Sequence, residues 1–143
     1  MLTNEEKYIF TSELALAISN GLQIDEGLKM LAGFDAGVSR CAKTIVDFMQ
    51  DGTPFSDALT KSKEFDDYMI QMVIVGQNIG NLDVVLKELS VYYERQKKLI
   101  EMVSKSYQCI ITATEIPEFL RNENMKIFKV AYGNIINTTG GNV

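Results

Sequence analysis

Before residue 108 the apolar positions recur at three- and four-residue intervals, the spacing of amphipathic helices. Thr3 followed by Glu6 has the form of a capping box, opening a helix that runs to about Asn20. Phe10, Leu14, Ala17 and Ile18 mark one face of it, and Ile9 and Leu16 partly cover another. Asn20-Gly21 ends it. Leu22 to Ala32 reads as a short second helix with Asp25 and Glu26 in its first turn and a Leu28, Leu31, Ala32 stripe, stopped by Gly33. Ala42, Ile45, Val46 and Met49 space a third helix, whose start near Gly37 the pattern leaves open and which Gly52 closes. Thr53-Pro54 supplies a capping hydroxyl and then a proline at the first helical position. Phe55, Ala58 and Leu59 face inward from the fourth helix, and Lys61 to Glu64 is a polar connection.

The stretch from Tyr68 to Tyr93 organises the rest. Between Tyr68 and Val75 only Gln71 is polar, which predicts a helix buried on every side at the centre of a bundle. Gly76 allows close helix approach, Gly80 offers a left-handed cap, Asn81 caps the next helix and Asp83 complements its dipole. On that long sixth helix Leu82, Val85, Leu86, Leu89, Tyr93 and Gln96 share a face, which Leu99, Ile100 and Val103 continue. Asp83, Lys87, Glu94, Arg95, Lys98 and Glu101 lie opposite. The expected fold is all-α: a six-helix bundle with short connections over residues 1–107, followed by an extension or tail over residues 108–143. In that extension Ile110 to Thr114 is β-branched and Pro117 interrupts any helix. Met125 to Tyr132 fits either a helix or a strand, and NTTGGNV reads as a loose tail.

Composition narrows the chemistry. The chain of 143 residues carries 14 basic and 19 acidic residues, a net charge of −5, which argues against nucleic acid as a partner. Arg95, Lys97 and Lys98 form its basic cluster. There is no histidine, so the commonest general base and transition-metal ligand are both missing. Cys41 and Cys109 have neither CxxC nor zinc spacing and read as reduced, buried thiols. The acidic N-terminus has no apolar signal-peptide core, and no run approaches the roughly 18 apolar residues of a membrane span. A soluble, cytoplasmic chain is the expectation.

No catalytic, cofactor-binding or metal-binding residues are assigned. Glu5-Glu6, Asp25-Glu26 and Asp66-Asp67 sit near helix starts, where carboxylates stabilise the dipole; hard-metal ligation is the competing use. Gly76 and Gly80 lack the preceding strand and following lysine of a phosphate loop. Met30, Met49, Met69, Met72 and Met102 read as core filler. Tyr92, Glu94, Arg95 and Lys98 make a candidate partner surface, balanced against an ordinary solvated face with Glu94–Lys98 pairing. Gly21, Gly52, Gly76, Gly80, Asn81 and Asp83 read as structural motif positions.

Six motifs occur in a fixed order: Ile18 to Leu22, Glu26 to Leu31, Gly52 to Leu59, Phe65, Val75 to Leu86, and Tyr92-Tyr93-Glu94. In that order they resemble the cytoplasmic domain of the type II secretion system F family, the inner-membrane platform proteins of type II secretion, type IV pili and competence pseudopili. The likeness covers roughly residues 8–107. It departs at Gln77, where the family has glutamate, and after Tyr107, where the family continues through Tyr-Pro into a membrane span and this chain continues with Gln108. The chain therefore reads as an excised domain, a truncated product or a stand-alone copy. The resemblance implies a non-enzymatic scaffold without cofactors, docking an assembly ATPase and inner-membrane components, with a homodimer as a further hypothesis. A soluble helical adaptor unrelated to secretion is the alternative.

Overall fold

Six α-helices succeed one another: α1 (Asn4–Ser19), α2 (Ile24–Leu31), α3 (Ala36–Gln50), α4 (Phe55–Ser62), α5 (Asp67–Ile79) and α6 (Leu82–Ser104). Two strands follow, β1 (Lys126–Ala131) and β2 (Asn134–Gly140). The computed structural model describes residues 1–105, 126–131 and 134–140. Met1–Leu99 is one compact unit and Ile100–Val143 another.

In the first unit, Phe10 and Leu14 of α1, Leu28 and Leu31 of α2, Ile45 of α3, Phe55 and Leu59 of α4, Met69 of α5 and Leu86, Leu89 and Tyr93 of α6 are fully buried together. Each such side chain contributes on the order of 1.5–3 kcal/mol relative to exposure. The Phe10 and Phe65 rings meet at 4.9 Å, tying α1 to the entry of α5. Thr3 caps α1 as the sequence predicts: its hydroxyl accepts from the Glu6 N–H, and its own N–H donates to the Glu6 carboxylate at 2.8 Å.

Three helices end in the same way. Gly21, Gly52 and Gly80 have φ of 88°, 86° and 76°, a conformation in which a Cβ is strained. Around each, two amides turn back onto the last turn: Leu22 N–H to Ala17 O and Gly21 N–H to Ile18 O, Thr53 N–H to Phe48 O and Gly52 N–H to Met49 O, Asn81 N–H to Gly76 O and Gly80 N–H to Gln77 O. These are Schellman closures, which satisfy the orphan carbonyls of a helix end. Gly76 has a different task. A Cβ there would lie 2.9 Å from Val85 Cγ2 and 3.3 Å from the Leu82 backbone, so its bare Cα lets α5 and α6 cross closely.

The structure corrects several expectations. The α5 helix is not enclosed: Tyr68, Val75 and Ile79 are 48%, 50% and 62% exposed along one side. The helix is buried where Met69, Ile70, Val73 and Gly76 face the bundle and half-covered at Met72 and Ile74, so an apolar run here reflects two apolar faces and one of them is open. Leu99 does not continue the α6 seam; six residues beyond Tyr93 it has rotated away from it and is 40% exposed. The burial expected of Val103 lies outside the described side chains. Met30, Met102 and Leu16 are exposed as well, so the first two are not core filler. At α4 the cap falls on Pro54, without a side-chain hydrogen bond, and Thr53 Oγ1 instead receives Lys61 Nζ at 3.2 Å.

In the second unit, β1 and β2 pair antiparallel from Lys126↔Gly140 to Ala131↔Asn134, with an irregularity between Lys129 and Val130. Residues 126–131 are therefore strand, which the periodicity left open, and residues 137–140 pair in β2 rather than forming a loose tail. Cys109 and Pro117 lie outside the described residues.

Replacing Gly76 by Ala should destabilise the first unit by a net ~1 kcal/mol or more. Overpacking against Val85 costs about 1–3 kcal/mol and exceeds the gain of up to about 1 kcal/mol in helix propensity. Urea titration reads it directly: an unchanged midpoint would mean that α6 yields to the extra methyl freely.

Candidate functional site

One side chain joins three helices. Asp66 caps α5, its Oδ1 accepting from the Met69 N–H at 3.0 Å. Its Oδ2 accepts from Lys7 Nζ of α1 at 2.9 Å and from the Tyr93 hydroxyl of α6 at 2.8 Å. Lys7 is buried, only 5% exposed, with its ammonium 5.5 Å from the Tyr93 ring centre. A buried ammonium requires a partner, and Asp66 is the one this fold provides. Burial alone would raise the Asp66 carboxyl. The Lys7 ammonium, the Met69 amide and the Tyr93 hydroxyl outweigh it and hold the group below its ordinary 3.8. Burial, then the Asp66 charge, push the Tyr93 hydroxyl upward. Lys97 of α6 adds an exposed clasp to Glu5 of α1 at 2.6 Å, of the kind worth about 0–1 kcal/mol.

Sequence reasoning placed Asp66 as a helix-start carboxylate and missed the other two members. The signal for Lys7 was present: it stands three residues before Phe10, four before Thr11 and seven before Leu14, on the apolar stripe of α1. A lysine at such a position needs an acid nearby.

With Tyr93 and Lys97 turned towards α1, the outer side of α6 separates into two flanks. Glu94 and Lys98 occupy one, paired with each other at 2.8 Å, and Lys98 holds the Glu94 carboxyl below its ordinary value. Tyr92 and Arg95 occupy the other. The Tyr92 ring is half-buried, 4.9 Å from Tyr68 of α5 and 5.2 Å from Tyr93, while Arg95 is exposed. Arg95, three residues from both Tyr92 and Lys98, borders both flanks.

The glycine corners that follow α1 and α5 meet across an open groove of about 440 Å³. Ile18, Gly21 and Leu22 line it from the first corner, and Gly76, Gln77 and Asp83 from the second. Asn81 opens α6 through its main chain, its carbonyl accepting from the Val85 N–H at 3.2 Å. Gly52 stands apart at the end of α3. Gln77 presents a neutral amide to the groove, so ion ligation by a carboxylate is not available at that position. Among the described residues no cluster of acidic or cysteine side chains is arranged to hold a metal ion. Cys41 is a free, buried thiol, pushed up to about 12 by burial and by the Glu64 charge, and so is not a nucleophile.

The helical scaffold and its ordered corners agree with one sequence family. Residues 10–107 match the family model of type II secretion system protein F. The chain belongs to this family. Among curated proteins it is 30% identical, over 101 residues, to the type IV pilus assembly protein PilC of Myxococcus xanthus, covering 68% of this chain and 24% of that protein. The PilC of Thermus thermophilus is 28% identical over 93 residues, covering 64% and 23%. The matched stretch thus spans about a quarter of each relative. Among the described residues no helix of this F-family chain is long and apolar enough to cross a membrane.

Because Asp66 has a depressed folded value, the unfolded chain takes up its proton first as pH falls. The stabilisation it supplies is therefore fully present above about pH 4 and drains as pH drops through the folded value. Asp66→Ala should cost about 3 kcal/mol or more near pH 7, since Lys7 is left buried and unpaired, and should flatten the acid limb of the stability profile. Urea titrations from about pH 7 to about pH 2 check both; an unaltered acid limb would rule out Asp66 as its source.

Proposed function

We propose that this chain is a cytoplasmic domain of an inner-membrane platform protein, a non-enzymatic scaffold that docks the assembly ATPase of a pilus or secretion machine. It passes the ATPase's motion towards pilin-like subunits in the membrane. The observation that carries this reading is the family match over residues 10–107, which takes in nearly all of the helical unit. Pilus assembly is also what the names of both relatives describe. The same reading takes residues 1–107 as the domain and residues 108–143 as an extension.

A docking scaffold needs rigid elements and an accessible, polar contact face. Asp66 anchors α6 against α1 and α5, and the Schellman closures fix the helix ends. The flank of α6 bearing Lys87, Glu94 and Lys98 is polar and solvated. We assign ATPase docking to that flank, where attraction is electrostatic and salt-sensitive.

Calorimetric titration of this chain with a pilus or secretion assembly ATPase should show saturable binding that weakens as salt is raised. Lys98→Glu should reduce affinity about three- to tenfold at low salt, as expected of a rim charge, with no change in helix content. Absence of binding at high micromolar concentration would refute direct docking. Binding indifferent to Lys98→Glu would move the contact elsewhere on the unit.

A further inference from the structure

Two of the three Schellman corners carry a dipeptide that can react with itself. Asn20-Gly21 closes α1 and Asp51-Gly52 closes α3. An asparagine or aspartate before glycine is prone to cyclise, because no side chain hinders the glycine nitrogen. A carboxylate is a poor electrophile, which leaves Asn20 as the reactive one. Asn20-Gly21 is the one Asn-Gly step in the chain, and both residues are exposed to water. In the reaction the Gly21 nitrogen gives up its proton and attacks Asn20 Cγ. A bond forms between them, the Cγ–Nδ2 bond breaks, and Nδ2 leaves as ammonia with that proton. Water then opens the succinimide ring at either carbonyl, leaving aspartate or isoaspartate.

The corner holds each reacting group off this path. The Gly21 N–H donates to Ile18 O at 2.9 Å, so the nucleophile is engaged as a donor. Asn20 Nδ2 donates to Leu16 O at 2.8 Å, which holds the side-chain amide over the last turn of α1. Ring closure needs the Gly21 nitrogen to eclipse Asn20 Cβ about the Cα–C bond. At ψ 7° it nearly eclipses Asn20's own nitrogen instead. The Leu22 N–H, donating to Ala17 O at 3.1 Å, secures the turn from its far side. We propose that Asn20-Gly21 is a deamidation site gated by the α1–α2 corner, reacting only from conformations in which the closure has opened. Either product then opposes reclosure. A carboxylate at position 20 cannot donate to Leu16 O, and it adds negative charge at the C-terminal end of α1, whose last turn has no basic residue. Isoaspartate also inserts a methylene into the main chain, which puts the Gly21 and Leu22 amides out of register with Ile18 and Ala17. Deamidation thus converts a transient opening into a lasting one, at the edge of the groove that Gly21 and Leu22 line.

Peptide mapping by mass spectrometry, on the full chain kept in mildly alkaline buffer with and without guanidinium chloride, tests this. Asn20 should convert to aspartate and isoaspartate in the unfolded chain, and at least about tenfold more slowly in the folded one. Guanidinium below the unfolding transition should raise the folded rate in step with hydrogen exchange of the Gly21 amide, which needs the same opening. Leu22→Pro removes the outer hydrogen bond without touching the reacting groups. It should speed the folded reaction about threefold or more, with circular dichroism verifying the fold. Asn20 left intact in the unfolded chain would overturn the site. Equal rates in the folded and unfolded chain would overturn the gate, and so would a folded rate that does not follow Gly21 exchange.

Discussion

The requirement that no charge be buried unpaired organises this structure. Lys7 is carried into the interior because the face of α1 that holds Phe10 and Leu14 also holds position 7. Once there, its ammonium loses most of its hydration and the fold must return an acceptor. Asp66 does so while also capping α5, and Tyr93 uses the same oxygen from α6. A buried ion pair is weak evidence of net stability against a hydrophobic alternative. Its effect here is specificity: only one rotation of α1, one start of α5 and one rotation of α6 bring the three groups together. The apolar core alone would tolerate a range of packings.

That constraint acts at one end of the α5–α6 pair, and Gly76 acts near the other. The Asp66–Tyr93 hydrogen bond fixes where α6 lies beside the start of α5. The missing Cβ at Gly76 lets Val85 close the approach at the corner. Between them, Met69 and Val73 of α5 and Leu86 and Leu89 of α6 are buried without a polar atom. The hairpin is thus held by a polar contact at its open end and by close packing at its turn.

Helix order and most helix ends were legible because each rests on local chemistry: a capping box at Thr3, glycines at the three Schellman turns, carboxylates in first turns. The inward face of α6 was legible through Tyr93 because its period is regular. Three things were not. Exposure of Tyr68, Val75 and Ile79 depends on which neighbours exist, and an apolar residue in the sequence does not say what covers it. The Lys7–Asp66–Tyr93 contact joins residues far apart in the chain, so no window contains it. The pairing of 126–131 with 134–140 was hidden because its residues fit helix and strand about equally. The types of residue on the outer side of α6 were readable, while their orientation follows from the rotation of α6, which Tyr93 and Lys97 set.

That rotation gives α6 three distinct faces on one cylinder. One side is committed to the bundle through Leu86, Leu89 and Tyr93. The Lys87–Glu94–Lys98 side is hydrated and suits contacts that form and break quickly, since charge raises encounter rates more than it lengthens residence. The third side carries exposed Val84 and Leu99 beside half-buried Val91 and Tyr92, and it borders the open side of α5 through the Tyr68–Tyr92 contact. All of these faces are oriented by one contact, because the position of α6 in the unit is set by the Asp66–Tyr93 hydrogen bond.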